Sequence, residues 1–158
     1  MKKIIVMVAI FATALVQQTF AQDTSAPKPS ELLTSYYNIK DALVSGNANS
    51  AAINAAQFIK TINGISPEII PGSTKEPLLK DAGKISATKN LEKQRDYFSV
   101  FSTNMYTLAK TVKLNTELVY YQYCPMKKTT WLSSNMVIKN PYLGSAMLTC
   151  GKTTETIQ

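Results

Sequence analysis

The chain contains no histidine. That absence excludes His general bases, Ser–His and Cys–His nucleophile pairs, and every metal site built on imidazole. Arginine is almost missing too, Arg95 being the only one. A nucleic-acid surface needs a concentrated, usually Arg-rich basic face. Here a formal charge of +7 is dispersed over lysines, and the only basic doublet beyond the N-terminus is Lys127-Lys128. Nucleic acid is therefore not an expected partner. Acidic residues are few and scattered, with no paired-carboxylate motif, no Gly-rich phosphate loop and no Cys-x-x-Cys. No enzyme chemistry is expected. Cysteine occurs only at 124 and 150, too few for structural zinc, which usually takes four Cys or His ligands. Calcium and magnesium would need a loop of convergent oxygens, and a blue-copper site would need two histidines.

Long apolar runs are also lacking. The longest, Ile4–Val16, has 13 residues and is interrupted only by Thr13. A membrane-spanning helix needs about 20. The run follows Met1-Lys2-Lys3 and precedes Thr19-Phe20-Ala21, the basic–apolar–small pattern of a secretory signal. Residues 1–21 are expected to be a signal peptide cleaved after Ala21, leaving 158 − 21 = 137 residues with a net charge of +5 once Lys2 and Lys3 are lost. The product is expected to be exported, to the periplasm or as a secreted protein, with no membrane span. Its length suits one domain.

Residues 22–29 read as a disordered lead, and residues 30–152 as a single domain. Ser30 reads as an N-cap with Glu31 in the first turn. Leu32, Tyr36, Ile39 and Leu43 then fall on one helical face, and Gly46 supplies a stop. A second helix is predicted over about 48–62, with Ala52, Ala55, Ile59 and Ile62 as its stripe. Gly64, Pro67, Pro71 and Gly72 require a loop over 63–73. A helix can restart after Ser73, with Pro77 expected in about its first turn and Gly83 as a weak point. The clearest helix carries Leu91, Phe98, Phe101, Met105, Leu108 and Val112 on one face, a rhythm that suits an antiparallel bundle core. Leu118–Tyr123 is aromatic and β-branched and reads as a short strand. The expected fold is mainly α: a bundle of three to four antiparallel helices, a short strand, a loop-rich C-terminal Cys/Met lobe over about 114–152, and a tail at 153–158.

The lobe holds the chemistry. Tyr123-Cys124-Pro125-Met126 and Met147-Leu148-Thr149-Cys150-Gly151 place a Met two or three residues from each Cys. Cys124, Met126, Met147 and Cys150 thus offer two thiolates and two thioethers. Soft sulfur selects soft ions, above all Cu(I), and Ag(I) by the same chemistry. Met136 is a possible extra ligand, though Asn135-Met136-Val137-Ile138 could instead turn a side chain into the lobe core. Met105 reads as core packing. The second reading of the cysteines is a disulfide, ordinary in an exported chain. Its loop of 26 positions would contribute about 3–4 kcal/mol on the chain-entropy model. In that reading the protein is a helical interaction or structural module of the envelope, Asn140-Pro141-Tyr142 is a turn and Trp131 a core anchor.

The segments Tyr120-x-x-Tyr123-Cys124-Pro125-Met126, Trp131-Leu132-Ser133 and Asn140-Pro141-Tyr142-x-Gly144-x-x-Met147-x-x-Cys150-Gly151 resemble the signature of an uncharacterised exported bacterial domain family. Tyr36-Tyr37-x-Ile39-Lys40-Asp41-Ala42-Leu43 and Gln94-Arg95-x-x-Phe98 are similar to it as well. Members of that family occur alone and also appended to periplasmic adaptors of copper/silver efflux pumps. The Tyr-x-Cys-Pro-Met piece also resembles the heavy-metal-binding modules of such adaptors, whose pattern continues with His where this chain has Lys127. The resemblance implies copper by association, a metal-efflux adaptor or another envelope protein as partner, and a supporting role around the sulfurs for Tyr123, Pro125, Trp131, Asn140, Pro141, Tyr142 and Gly144.

Overall fold

A computed structural model describes residues 27–114 and 117–158. The expected signal peptide, and residues 22–26 of the expected lead, lie outside them. Four helices come first: α1 (Pro29–Val44), α2 (Ala48–Gly64), α3 (Gly72–Ser86) and α4 (Leu91–Thr111). Three strands follow, β1 (Val119–Cys124), β2 (Thr129–Ser133) and β3 (Lys152–Ile157), with a 3₁₀ turn at Gly144–Ala146 before β3. Each helix packs on the next, and α4 also packs on β2.

The apolar stripes face one another as their spacing requires. Leu32, Tyr36, Ile39 and Leu43 of α1, Ala55 and Ile62 of α2, and Phe98, Phe101, Met105 and Leu108 of α4 are all fully buried. Ile59 and Leu91 are partly buried at the edge of this core. Met105 is packing, as its place in the stripe predicts. Gly46 has φ of +72°, the left-handed conformation that ends a helix at little cost.

Several boundaries differ from the expectation. The first helix starts at Pro29 with Lys28 as N-cap, not at Ser30. Proline suits the first helical position because that N–H needs no partner. Pro77 lies beyond the first turn of α3, which nevertheless runs unbroken through it and through Gly83. The carbonyl that Pro77 leaves without a helical donor belongs to Ser73, which is exposed and can bond water. A Cβ at Gly83 would meet nothing within 4 Å, so Gly83 is neither a break nor a close contact.

The lobe holds more regular structure than its irregular spacing implied. Its three strands form an antiparallel sheet in the order β2-β1-β3. Residues 153–158, expected as a tail, mostly belong to β3, with Val119 opposite Ile157 and Tyr123 opposite Lys152. The polar run Thr153–Thr156 hides this strand, because its partner β1 supplies the apolar side chains. Pairing of β1 with β2 sets Tyr121 opposite Leu132, Gln122 opposite Trp131 and Cys124 opposite Thr129.

Strand alternation gives the sheet two faces. On one, Tyr121 stacks on Tyr106 of α4 with ring centroids 3.9 Å apart. The other carries Gln122, Cys124 and Trp131, all fully buried. One tyrosine joins bundle and lobe from within. The Tyr36 hydroxyl accepts the Leu132 N–H (3.0 Å) and pairs with Ser102 Oγ (2.6 Å), linking α1, β2 and α4.

Candidate functional site

Cys124 is the last residue of β1, where a four-residue turn, Pro125–Lys128, begins. Lys128 carries φ of +53° in that turn. The Lys127 N–H points back at Cys124 Sγ, 3.5 Å away. Cys124 is fully buried, on the face of β1 that also holds Trp131. Cys150 stands two residues before β3, and the antiparallel register brings it alongside the end of β1. Gly151 makes this approach possible: a Cβ there would lie 2.8 Å from the Trp131 ring and 3.0 Å from Tyr123 O. No larger residue fits without moving the tryptophan or the strand.

The two thiols are neighbours, close enough for each to bear on the other's protonation. Both are free thiols in this structure, Cys124 buried and Cys150 half-buried. Desolvation pushes the Cys150 thiol above its ordinary range, the neighbouring Cys124 thiol adds to this, and a hydrogen bond from the Met126 backbone partly opposes it. Loss of water disfavours the charged thiolate, and a neighbouring thiolate would repel it further.

The Asn140-Pro141-Tyr142 segment holds the Cys150 strand in place. Asn140 is fully buried. Its Nδ2 donates to Cys150 O at 2.6 Å, and its Oδ1 accepts the N–H groups of Tyr142 and Leu143 at 2.8 and 3.1 Å. Tyr142 sets its ring against Phe98 and Trp131 and donates its hydroxyl to Thr130 O at 2.5 Å. Burial raises its pKa well above the usual phenol range. Pro141 O accepts from Arg95 Nε at 2.9 Å, while Arg95 Nη2 donates to Leu43 O at 3.0 Å, at the end of α1. Gly144 has φ of +54°, and a Cβ there would lie 2.5 Å from Arg95 Nη2. Arg95, a helix residue, is thus the clamp between bundle and lobe.

The methionines stand differently. Met126 and Met147 are 61% and 42% exposed. Each belongs to a segment that touches Cys150: Met126 through its backbone, and Met147 through its carbonyl, which accepts the Cys150 N–H at 3.1 Å. Their side chains lie at the surface rather than in the core. Met136 is 65% exposed and Val137 60% exposed. Of the segment 135–138, it is Ile138 that turns inward, against the position a Gly151 Cβ would occupy. Tyr123 and Pro125 continue the strand and turn that carry Cys124, and Trp131 is fully buried beside them. Among the described residues there is no cluster of three or more Cys, Asp or Glu that could hold a metal ion.

The lobe is also basic. From Leu118 to Thr154 it carries Lys127, Lys128, Lys139 and Lys152 and no acidic residue. Sequence reasoning passed over this, and over Gln122, whose buried Nε2 donates to Asn135 O and Met136 O at 3.0 and 3.2 Å and pins the loop that covers the sheet.

No curated protein and no solved structure matches the chain. A family model described as a protein of unknown function, DUF3347, matches residues 32–117. That span runs from the first turn of α1 through α4 and stops before β1, so the match carries the bundle and not the thiol lobe. It covers more than half of the 158 residues, and the chain belongs to the DUF3347 family, whose function is unknown.

Proposed function

We propose that this protein binds one soft monovalent ion, Cu(I) or Ag(I), between Cys124 and Cys150. The observation that carries the reading is that β1–β3 pairing brings the two thiols into each other's neighbourhood at the end of β1, with Met126 and Met147, both exposed, in the segments that flank them. Two thiolates would supply charge and affinity, and either thioether a further soft contact. Met136, on the loop over the sheet, is a weaker candidate. The role is non-catalytic. Export, periplasmic in the first instance, and a metal-efflux adaptor or another envelope protein as recipient belong to the same reading. They are supported by the basic–apolar–small N-terminus and by the resemblance of the Cys/Met segments to domains found with such adaptors. Recovery of the exported protein with its N-terminus at Gln22 is expected, and retention of Met1 would refute export by cleavage.

Titration of the reduced protein with Cu(I) against a competing chelator tests the site. Cys124→Ser should abolish tight binding, and Met147→Leu should weaken it. Binding should also weaken as pH falls, because both thiols must lose protons, and the raised Cys150 pKa places that dependence above the ordinary thiol range. Equal affinity in wild type and Cys124→Ser, or none in reduced wild type, refutes the reading.

The same nearness of the thiols favours a second reading. Two neighbouring cysteines in an oxidising compartment can close a disulfide. The lobe would then be a stapled cap on an interaction module. Mass spectrometry of the native exported protein, with and without alkylation, separates the two: two alkylated thiols or a bound ion in the first case, a mass lower by two hydrogen atoms and no alkylation in the second.

A further inference from the structure

The turn that carries Met126 also borders a cleft of about 510 Å³, within the range of small-molecule sites. Glu92, Arg95 and Asp96 line it from α4, and Lys127, Thr129 and Tyr142 from the lobe. Two cations and two carboxylates thus face one space. Among the described residues the ion pairs within 4 Å are Lys40–Asp41, Lys84–Asp81 and Lys110–Glu155. None of the four charges of the cleft is in one of these pairs.

Arg95 is the most informative of them. Two of its N–H groups donate to neutral carbonyls, Pro141 O and Leu43 O. They fix the direction of the guanidinium without using a carboxylate, which prepares it for an anion without further ordering. Burial already works against that charge. Leu91, Leu143 and the Tyr142 ring add an apolar wall.

We propose that this cleft binds a small zwitterion of the α-amino-acid class, its carboxylate at Arg95 and Lys127 and its ammonium at Glu92 and Asp96. An inorganic anion would leave the two carboxylates unused, and a simple cation would leave Arg95 and Lys127 unused. A molecule with both charges and an apolar side chain uses the whole lining. The proposal does not rest on metal binding by the thiols, which can fail independently.

Isothermal titration of the exported, reduced protein tests it, with L-leucine, 4-methylpentanoate and 3-methylbutylamine as probes and L-glutamate and L-lysine as further amino acids. Leucine is expected to bind, and the two half-ligands, each lacking one charge, to bind about tenfold more weakly or worse. Lys127→Gln should weaken leucine and 4-methylpentanoate binding together. Asp96→Asn, at an exposed helix position that cannot disturb the core, should weaken leucine binding and leave 4-methylpentanoate binding unaffected. Failure of all three amino acids to bind overturns the proposal. Binding of 4-methylpentanoate as tight as that of leucine also overturns it, because the cleft would then be a plain anion site.

Discussion

Replacing Tyr36 by Phe would remove one oxygen and keep the ring. The ring contacts, stacked on Phe98 at 5.3 Å and tilted on Phe101 at 5.6 Å, would remain, so no cavity is created. What is lost is the hydroxyl between the Leu132 N–H and Ser102 Oγ. Each of those groups is buried, and each buried donor or acceptor left without a partner costs about 1–3 kcal/mol. Ser102 can recover part of this by turning its hydroxyl to the carbonyl of Phe98, one helical turn back. A strand N–H has no such freedom. The expected loss is therefore dominated by Leu132 and comes to about 2 kcal/mol. Urea denaturation should show it as a lower midpoint with an unchanged slope, because the surface exposed on unfolding is the same. Hydrogen exchange should show the Leu132 amide losing protection selectively. Ser102→Ala alone should cost less, and the double mutant should be less destabilised than the sum of the two. A loss below about 0.5 kcal/mol, within the range of an ordinary surface substitution, with Leu132 still protected, would refute the hydroxyl as the joint between bundle and lobe.

Leu108→Ala, a truncation in the fully buried face of α4, should cost about 2–5 kcal/mol, and a loss under about 0.5 kcal/mol, typical of surface sites, would place that face in solvent. Asn140→Ala removes the Cys150 O, Tyr142 N and Leu143 N bonds together; it should destabilise the lobe by about 2–4 kcal/mol and weaken Cu(I) binding, and unchanged affinity in the folded variant would show that Cys150 needs no such support. Lys110 and, next, the Tyr106 hydroxyl hold the Glu155 carboxyl below its ordinary pKa. The stability this gives is present above the unfolded-state carboxylate pKa and is lost as pH falls through the lower folded value. Glu155→Gln should flatten the acid limb of a stability–pH curve, and parallel curves for the two proteins would mean that the pair contributes nothing.

The bundle was legible because its signal is local. Leu32, Tyr36, Ile39 and Leu43, or Phe98, Phe101, Met105 and Leu108, reveal a buried face through period alone, and Gly46 marks its own turn. Pairing across the lobe is not local. Nothing in Lys152–Ile157 says strand until β1 lies beside it, since a strand that borrows its partner's apolar face can be polar throughout. The nearness of Cys124 and Cys150 depends on that pairing, on the absence of a side chain at Gly151 under Trp131, and on Asn140 holding the Cys150 carbonyl. The sequence alone could name the sulfurs as one group by chemistry and spacing. Tertiary structure divided that group into two neighbouring thiols and three exposed methionines, because strand register and not residue type decides which side chains come together. It also turned Arg95, in sequence only a lone arginine on a helix, into the clamp between bundle and lobe, since the carbonyls it binds lie 46 and 52 positions away along the chain.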